Sequence, residues 1–190
     1  MLAPLFNFLR MFRSISAADE ALIGTELRPR AAAPGEYLHQ EGRVCRELFF
    51  VVEGVLRIVK QNEQGVEVTH FFLKENQFCT ILHSFTQETP STEGIQAACP
   101  AQVIGLPKQG LERLYAQLPY LRELLNGIIQ QALLDKIQTR NAYLGADAKT
   151  RYQLFLIRQP EVALRVPLRD VASYLGVTQQ SLSRIRRTAN

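Results

Sequence analysis

Residues 34–59 read PGEYLHQEGRVCRELFFVVEGVLRIV, apolar runs cut by glycine, and the fold class turns on the spacing of those cuts. Glycines stand at positions 35, 42 and 54, and again at 65, leaving intervals of 7, 12 and 11 residues. Between them ELFFVVEG, VLRIV and VEVTHF are β-prone, and the last two contain alternating segments suited to a half-buried sheet. Turns at that spacing predict an antiparallel sandwich or barrel over residues 30–106, ending with GIQAACPAQVIGL, rather than a parallel α/β sheet.

Helical patterns flank this block. In residues 2–27 the stretch SAADEALIGTEL opens on Ser16 with Asp19 three residues later, the spacing of a capping box, and two short helices are expected there. After Pro119, YLRELLNGIIQQALLDKIQTRNAYLG has no proline and one internal glycine, enough for a helix of about 39 Å. It carries two apolar stripes. Leu121, Leu125, Ile128 and Ala132 form one, and Ile129, Leu133, Ile137 and Leu144 the other. One stripe can cover the barrel, and self-pairing into a homodimer would cover the second. The expected organisation is α+β: residues 1–118 a β-roll with N-terminal helices, 119–145 a long dimerisation helix, and 146–190 a C-terminal helical unit.

That last unit ends in VPLRDVASYLGVTQQSLSRIRRTAN, which fits two helices crossing through a short turn. With Leu168 as its first residue, the inward places four, eight, ten, fifteen and eighteen are Val171, Leu175, Val177, Leu182 and Ile185, all aliphatic. The fifth place, where the helices approach closest, is Ala172; the ninth, where the turn favours positive φ, is Gly176. Thr178 is placed to cap the second helix. The residues left outside suit DNA, because glutamine pairs with adenine, arginine with guanine or phosphate, and hydroxyls with bases or backbone. Thr178, Gln179, Gln180, Ser181 and Arg184 are the expected base-edge or nearby phosphate contacts, with Ser183 on the same outer face. Arg169, Ser173, Arg186 and Arg187 are the expected backbone contacts.

Charge agrees with this division. The net charge of +4 resolves into nine Lys/Arg against three Asp/Glu over residues 140–190, and thirteen against fifteen elsewhere. A basic tail on a mildly acidic body points to a polyanionic partner. No run approaches the roughly 18 apolar residues of a membrane span, and the N-terminal MLAPLFNFLRMF lacks the features of an export signal, so a cytoplasmic protein without membrane attachment is expected. Cys45, Cys79 and Cys99, like His39, His70 and His83, are too scattered for a metal motif. No nucleophile–base pair or phosphate loop is visible, and no enzymatic role is expected.

Residues 34–59 resemble the β-roll of cyclic-nucleotide-binding domains, in which a Gly-Glu turn, a Glu-Gly turn and a strand ending in glycine recur at these spacings. With the long helix and terminal hairpin, the chain is similar over nearly its whole length to the Crp/Fnr superfamily of transcription regulators, most of all to members of the Bacteroidetes type. The resemblance implies a homodimeric, sequence-specific regulator that binds double-stranded DNA through a helix-turn-helix. It also implies a phosphate-binding cassette near NQFCTILHSFTQETPSTEGIQAA, residues 76–98.

Here the chain departs from the family. Thr80 and Ile81 stand where a carboxylate is expected, the arginine position falls near Thr92, and residues 75–107 contain no lysine or arginine. An anionic phosphate taken from water needs charge-assisted partners. The sensor is therefore expected to be degenerate, without cyclic nucleotide or another cofactor. The uncharged lining, Phe78, Cys79, Thr80, His83, Ser84 and Thr92, suits a neutral or apolar effector. The family's best-known member has an Arg-Glu pair where Gln179 and Gln180 stand, so its target does not transfer. No residues for a β-hairpin wing follow the hairpin, which leaves RQPEVALRVP to serve that role. Two alternatives stay open: a regulator still gated by cyclic nucleotide, and a protein-interaction module whose basic hairpin docks an acidic protein.

Overall fold

The computed structural model describes residues 2–188, without the side chain of Thr188. Two short helices lead in, α1 (Ala3–Arg10) and α2 (Ala17–Glu26). The Ser16 hydroxyl accepts the Asp19 amide at 3.1 Å, satisfying one of the donors that a helix start leaves unpaired.

Eight strands follow: β1 (Arg28–Ala32), β2 (Tyr37–His39), β3 (Glu47–Glu53), β4 (Leu56–Gln61), β5 (Glu67–Leu73), β6 (Phe78–Cys79), β7 (Gly94–Ala97) and β8 (Ala101–Pro107), with α3 (Leu82–Gln87) between β6 and β7. They build two antiparallel four-stranded sheets, ordered β1-β8-β3-β6 and β2-β7-β4-β5. The antiparallel architecture expected from the glycine spacing is the one found. Gly54 shows why glycine is needed: its φ is +90°, and an added Cβ would collide with the Pro100 carbonyl and Ala101.

Side-chain alternation sorts the strands' apolar residues into separate cores. Phe49 and Val51 of β3 point between the sheets, packing with Leu56, Ile58, Leu73, Ile95 and Val103. Leu48 and Phe50 of the same strand point outward, onto a layer built from α1, α2, α4 (Lys108–Gln117) and the first half of α5 (Pro119–Tyr143). A strand buried on both faces must be apolar along its length, which is why ELFFVV lacks alternation.

The C-terminal unit comprises α6 (Ala148–Arg158), α7 (Pro160–Arg165), α8 (Leu168–Tyr174) and α9 (Gln179–Thr188). Asp147 caps α6 by accepting the Thr150 amide at 2.8 Å. RQPEVALRVP, expected to stand in for a wing, contains α7 instead: Pro160 fits a first helical turn, where its missing amide costs nothing. Residues 189 and 190 of the expected terminal unit lie outside the described residues. The unit packs directly on the roll. Tyr152, Phe155, Val162, Val171, Leu175 and Leu182 share a third core with Val55, Phe72, Ala98 and Cys99.

Candidate nucleic-acid interface

The terminal hairpin has the arrangement its residue types demand. Val171, Ala172, Leu175 and Leu182 are buried, and Val177 and Ile185 pack against the same core. Gly176 has φ +66°, the left-handed turn anticipated at the ninth place. The Ser181 amide donates to the Thr178 hydroxyl at 3.1 Å, and the Thr178 and Ser181 hydroxyls pair at 2.9 Å. Thr178 is therefore a cap, and its hydroxyl is already engaged in the protein.

Gln179, Gln180, Ser181, Arg184, Arg186 and Arg187 are exposed along α9, and Ser183 is half-buried. Gln180, Arg184 and Arg187 lie opposite Leu182 with Ser181 beside them, whereas Arg186 lies on the side of Leu182 and borders a cleft with Leu156 and Leu168. Arg169 is exposed on α8, with its Nε 3.4 Å from Asp170 Oδ1.

Ser173 is placed differently from the others. Its hydroxyl accepts the Thr69 amide of β5 at 2.9 Å, so it faces the roll. It belongs to a set of contacts that sequence reasoning missed. Arg57 of β4 reaches Asp170 Oδ1 at 3.2 Å, donates to Gln96 and Thr69, and pairs with Glu67. Arg165 pairs with Glu75 through both oxygens, the Nη2 contact being 2.9 Å, and Lys74 pairs with Glu161 at 2.8 Å. The bonded Arg165 guanidinium holds the Glu75 carboxyl well below its usual range, at about 2. Rings of Phe72, Phe155 and Tyr174 meet at 5.2 to 6.3 Å between centroids. One signal was available: Arg57 is the lone charge inside the apolar run VLRIV.

The six residues expected to line a ligand pocket do not converge as a set: only Phe78 and Thr80 share a cleft, beside α5. Phe78 points outward against Phe8 and Phe50, while its neighbour Cys79 is buried between the sheets. Burial there pushes the Cys79 thiol up to about 12. Thr80 donates to the Glu47 carbonyl at 2.9 Å. Ser84 is buried, accepting the Cys45 amide at 2.8 Å and donating to the Thr89 carbonyl at 2.6 Å. His83 and Thr92 face solvent. The buried side chains between the sheets are almost all aliphatic or aromatic, with Cys45 and Cys79 among them.

On α5, Leu121, Leu125 and Ile128 are buried, and Ala132 and Ile129 are half-buried. Beyond them Leu133, Leu134, Ile137 and Leu144 are 39%, 53%, 55% and 70% exposed. One stripe covers the roll, and the other lies open in a single chain. Among the described residues no group of histidine, cysteine and carboxylate side chains could hold a metal, and no helix is long and apolar enough to cross a membrane.

Comparison with known proteins agrees with this geometry. Residues 29–118 match the family model of the cyclic nucleotide-binding domain. The chain is 24% identical over 196 aligned positions to the transcriptional activator protein Anr of Pseudomonas protegens, covering 97% of this chain and 78% of Anr. Its fold is similar to CLP, the c-di-GMP-responsive global regulator of Xanthomonas campestris, with a TM-score of 0.70, 13% identity and coverage of 92% and 91% of the two chains. FixK2 of Bradyrhizobium japonicum gives a TM-score of 0.70 at 19% identity, covering 85% and 83%. The roll is similar to cyclic nucleotide-binding domains, and the whole chain resembles regulators of the Crp/Fnr family.

Proposed function

We propose that this chain, a roll of the cyclic nucleotide-binding type joined to a helical hairpin, is a homodimeric, sequence-specific DNA-binding transcription regulator acting without cyclic nucleotide. The observation that carries the reading is α9, which buries Leu182 and exposes Gln179, Gln180, Ser181, Arg184 and Arg187 along one face. Such a helix can enter the major groove by its N-terminal end, with Gln179 and Gln180 at base edges. Arg186 and Arg187 lie at its C-terminal end, where phosphate contacts set register rather than sequence.

Dimerisation is supported by the exposed stripe of Leu133, Leu134, Ile137 and Leu144 on a helix whose other stripe is buried. Two copies paired there would present two recognition helices, which calls for a roughly palindromic operator with half-sites about one helical turn, about 34 Å, apart.

The absence of cyclic-nucleotide control is supported by the apolar side chains between the sheets and by the lack of any lysine or arginine in residues 75–107. The cyclic phosphate would meet no charge-assisted donor in that segment. Selection of bound duplexes from a random pool, followed by affinity measurements against salt, tests the reading. Enrichment of a palindromic sequence and a log–log salt slope near −5, about three phosphates per protomer, are expected. A salt-independent affinity without enrichment refutes it. Heat released on titration with cyclic AMP or cyclic GMP would show the roll to be ligand-gated instead.

A further inference from the structure

One cavity lies away from the hairpin and touches the cassette segment at Glu88. It is a cleft of about 830 Å³ walled by β1, β2, the loop of residues 40–46 and the first turn of α4. Arg28, Arg43, Arg46 and Lys108 line it, against Glu47 and Glu88. Lys108 pairs with Glu88 at 2.9 Å, whereas Arg28, Arg43 and Arg46 make no ion pair among the described residues. Three arginines without an ion pair among the described residues thus line one concavity, Arg46 acting on Glu88 and Arg28 on Glu26 only at longer range, on a part of the chain whose balance is mildly acidic.

The wall carrying two of them is held at several points. The Gly42 amide donates to the Ser91 carbonyl at 2.7 Å, and the Ser91 amide donates back to the Arg43 carbonyl at 2.8 Å. The Cys45 amide donates to Ser84, and the Lys108 amide to the Arg46 carbonyl at 2.8 Å. A merely solvated basic surface requires no such frame. Like charges gathered in a fixed concave wall repel one another, and an anion relieves that repulsion. His39 also lines the cleft, with its Nε2 buried and lacking a hydrogen-bond partner among the described residues. Burial and the nearby Arg43 charge push its imidazole below the ordinary histidine range, favouring the neutral form, which has one donor and one acceptor nitrogen.

We propose that this cleft is a binding site for a small anionic ligand carrying two or more phosphoryl groups, held by Arg28, Arg43, Arg46 and Lys108. Guanidinium forks match phosphate oxygens in pairs, and several of them spread along one wall suit a ligand with more than one anionic group. The volume suits a nucleotide-sized molecule. Of the cassette segment, Glu88 borders this cleft, and the inference holds whether or not the chain binds DNA.

Thermal unfolding of the full chain tests it, with inorganic pyrophosphate, ADP, orthophosphate and citrate as probes. Pyrophosphate and ADP are expected to raise the midpoint by about 3 °C at roughly ten times the dissociation constant. The rise should vanish in the Arg43→Ala/Arg46→Ala variant, whose unliganded midpoint should match the parent because both side chains are exposed. It should persist in Arg186→Ala/Arg187→Ala, which removes basic side chains from α9 instead. No rise with either diphosphate, a rise that survives loss of Arg43 and Arg46, or one abolished by the α9 variant overturns the proposal. An equal rise with citrate overturns the phosphoryl assignment in favour of polycarboxylates, and one with orthophosphate overturns the requirement for two groups.

Discussion

Arg57 of β4 and Asp170 of α8 form an ion pair at 3.2 Å with side chains only 7% and 6% exposed, and this pair seats the hairpin on the outer face of the second sheet. Removing one partner leaves the other charge buried, a loss larger than the pair's net worth. Asp170→Ala is expected to cost about 3 kcal/mol in urea unfolding, at the low end for broken buried pairs because Arg57 keeps Glu67 and Gln96. In a double-mutant cycle with Arg57→Met the two losses should fall short of additivity. Additive losses would mean the pair does not couple.

The Glu75–Arg165 contact makes the same seat sensitive to acid. Glu75 is held at about 2 rather than 4.5, so its contribution is complete above the unfolded value. It is lost as pH falls from 4.5 towards 2. Because both side chains are near 30% exposed, water screens the pair, and about 1 kcal/mol is expected at neutral pH. Glu75→Gln should lower stability at pH 7 by that amount and flatten the acid limb of a stability–pH profile. An unchanged limb would count against this assignment.

Along α5, Ile137 is 55% exposed within the open apolar stripe. Ile137→Glu is expected to convert a dimer to folded monomer in sedimentation equilibrium, with unchanged far-ultraviolet dichroism. DNA affinity should fall at least tenfold, since the second half-site no longer binds as part of one molecule. A dimer that survives the charge would place the interface elsewhere.

On α9, Gln180 and Arg187 are both exposed but stand at opposite ends of the helix. Gln180→Ala should relax preference at one base position, costing about 1–3 kcal/mol against the selected operator and little against random duplex. Arg187→Ala should weaken binding to all sequences alike and reduce the salt slope by about 1. Identical behaviour of the two variants would argue against a reading end and a phosphate end.

Much of this fold is legible in short windows of sequence. Gly54 and Gly176 are demanded by positive φ, and Ser16 and Thr178 by open helix starts; each requirement is set by neighbouring backbone. The exposed stripe of α5 was equally readable, because a helix of 3.6 residues per turn repeats its faces in sequence. The cassette segment was less so. Phe78 and Cys79 are adjacent in a strand and must point to opposite faces, so they cannot line one pocket wall together.

What sequence could not supply is the meeting of surfaces far apart in the chain. Thr69 and Ser173 are 104 residues apart, and nothing local to either requires the contact. Ser173 has the chemistry of a phosphate contact, and tertiary packing turned it towards β5 instead. Asp170 looked like an ordinary acid in a first helical turn until Arg57 arrived from β4. The cleft of Arg28, Arg43, Arg46 and Lys108 likewise exists only because β1 pairs with β8 and the start of α4 lies beside residue 46. Local backbone geometry is written residue by residue, whereas the convergence of charges depends on which faces the buried cores bring together.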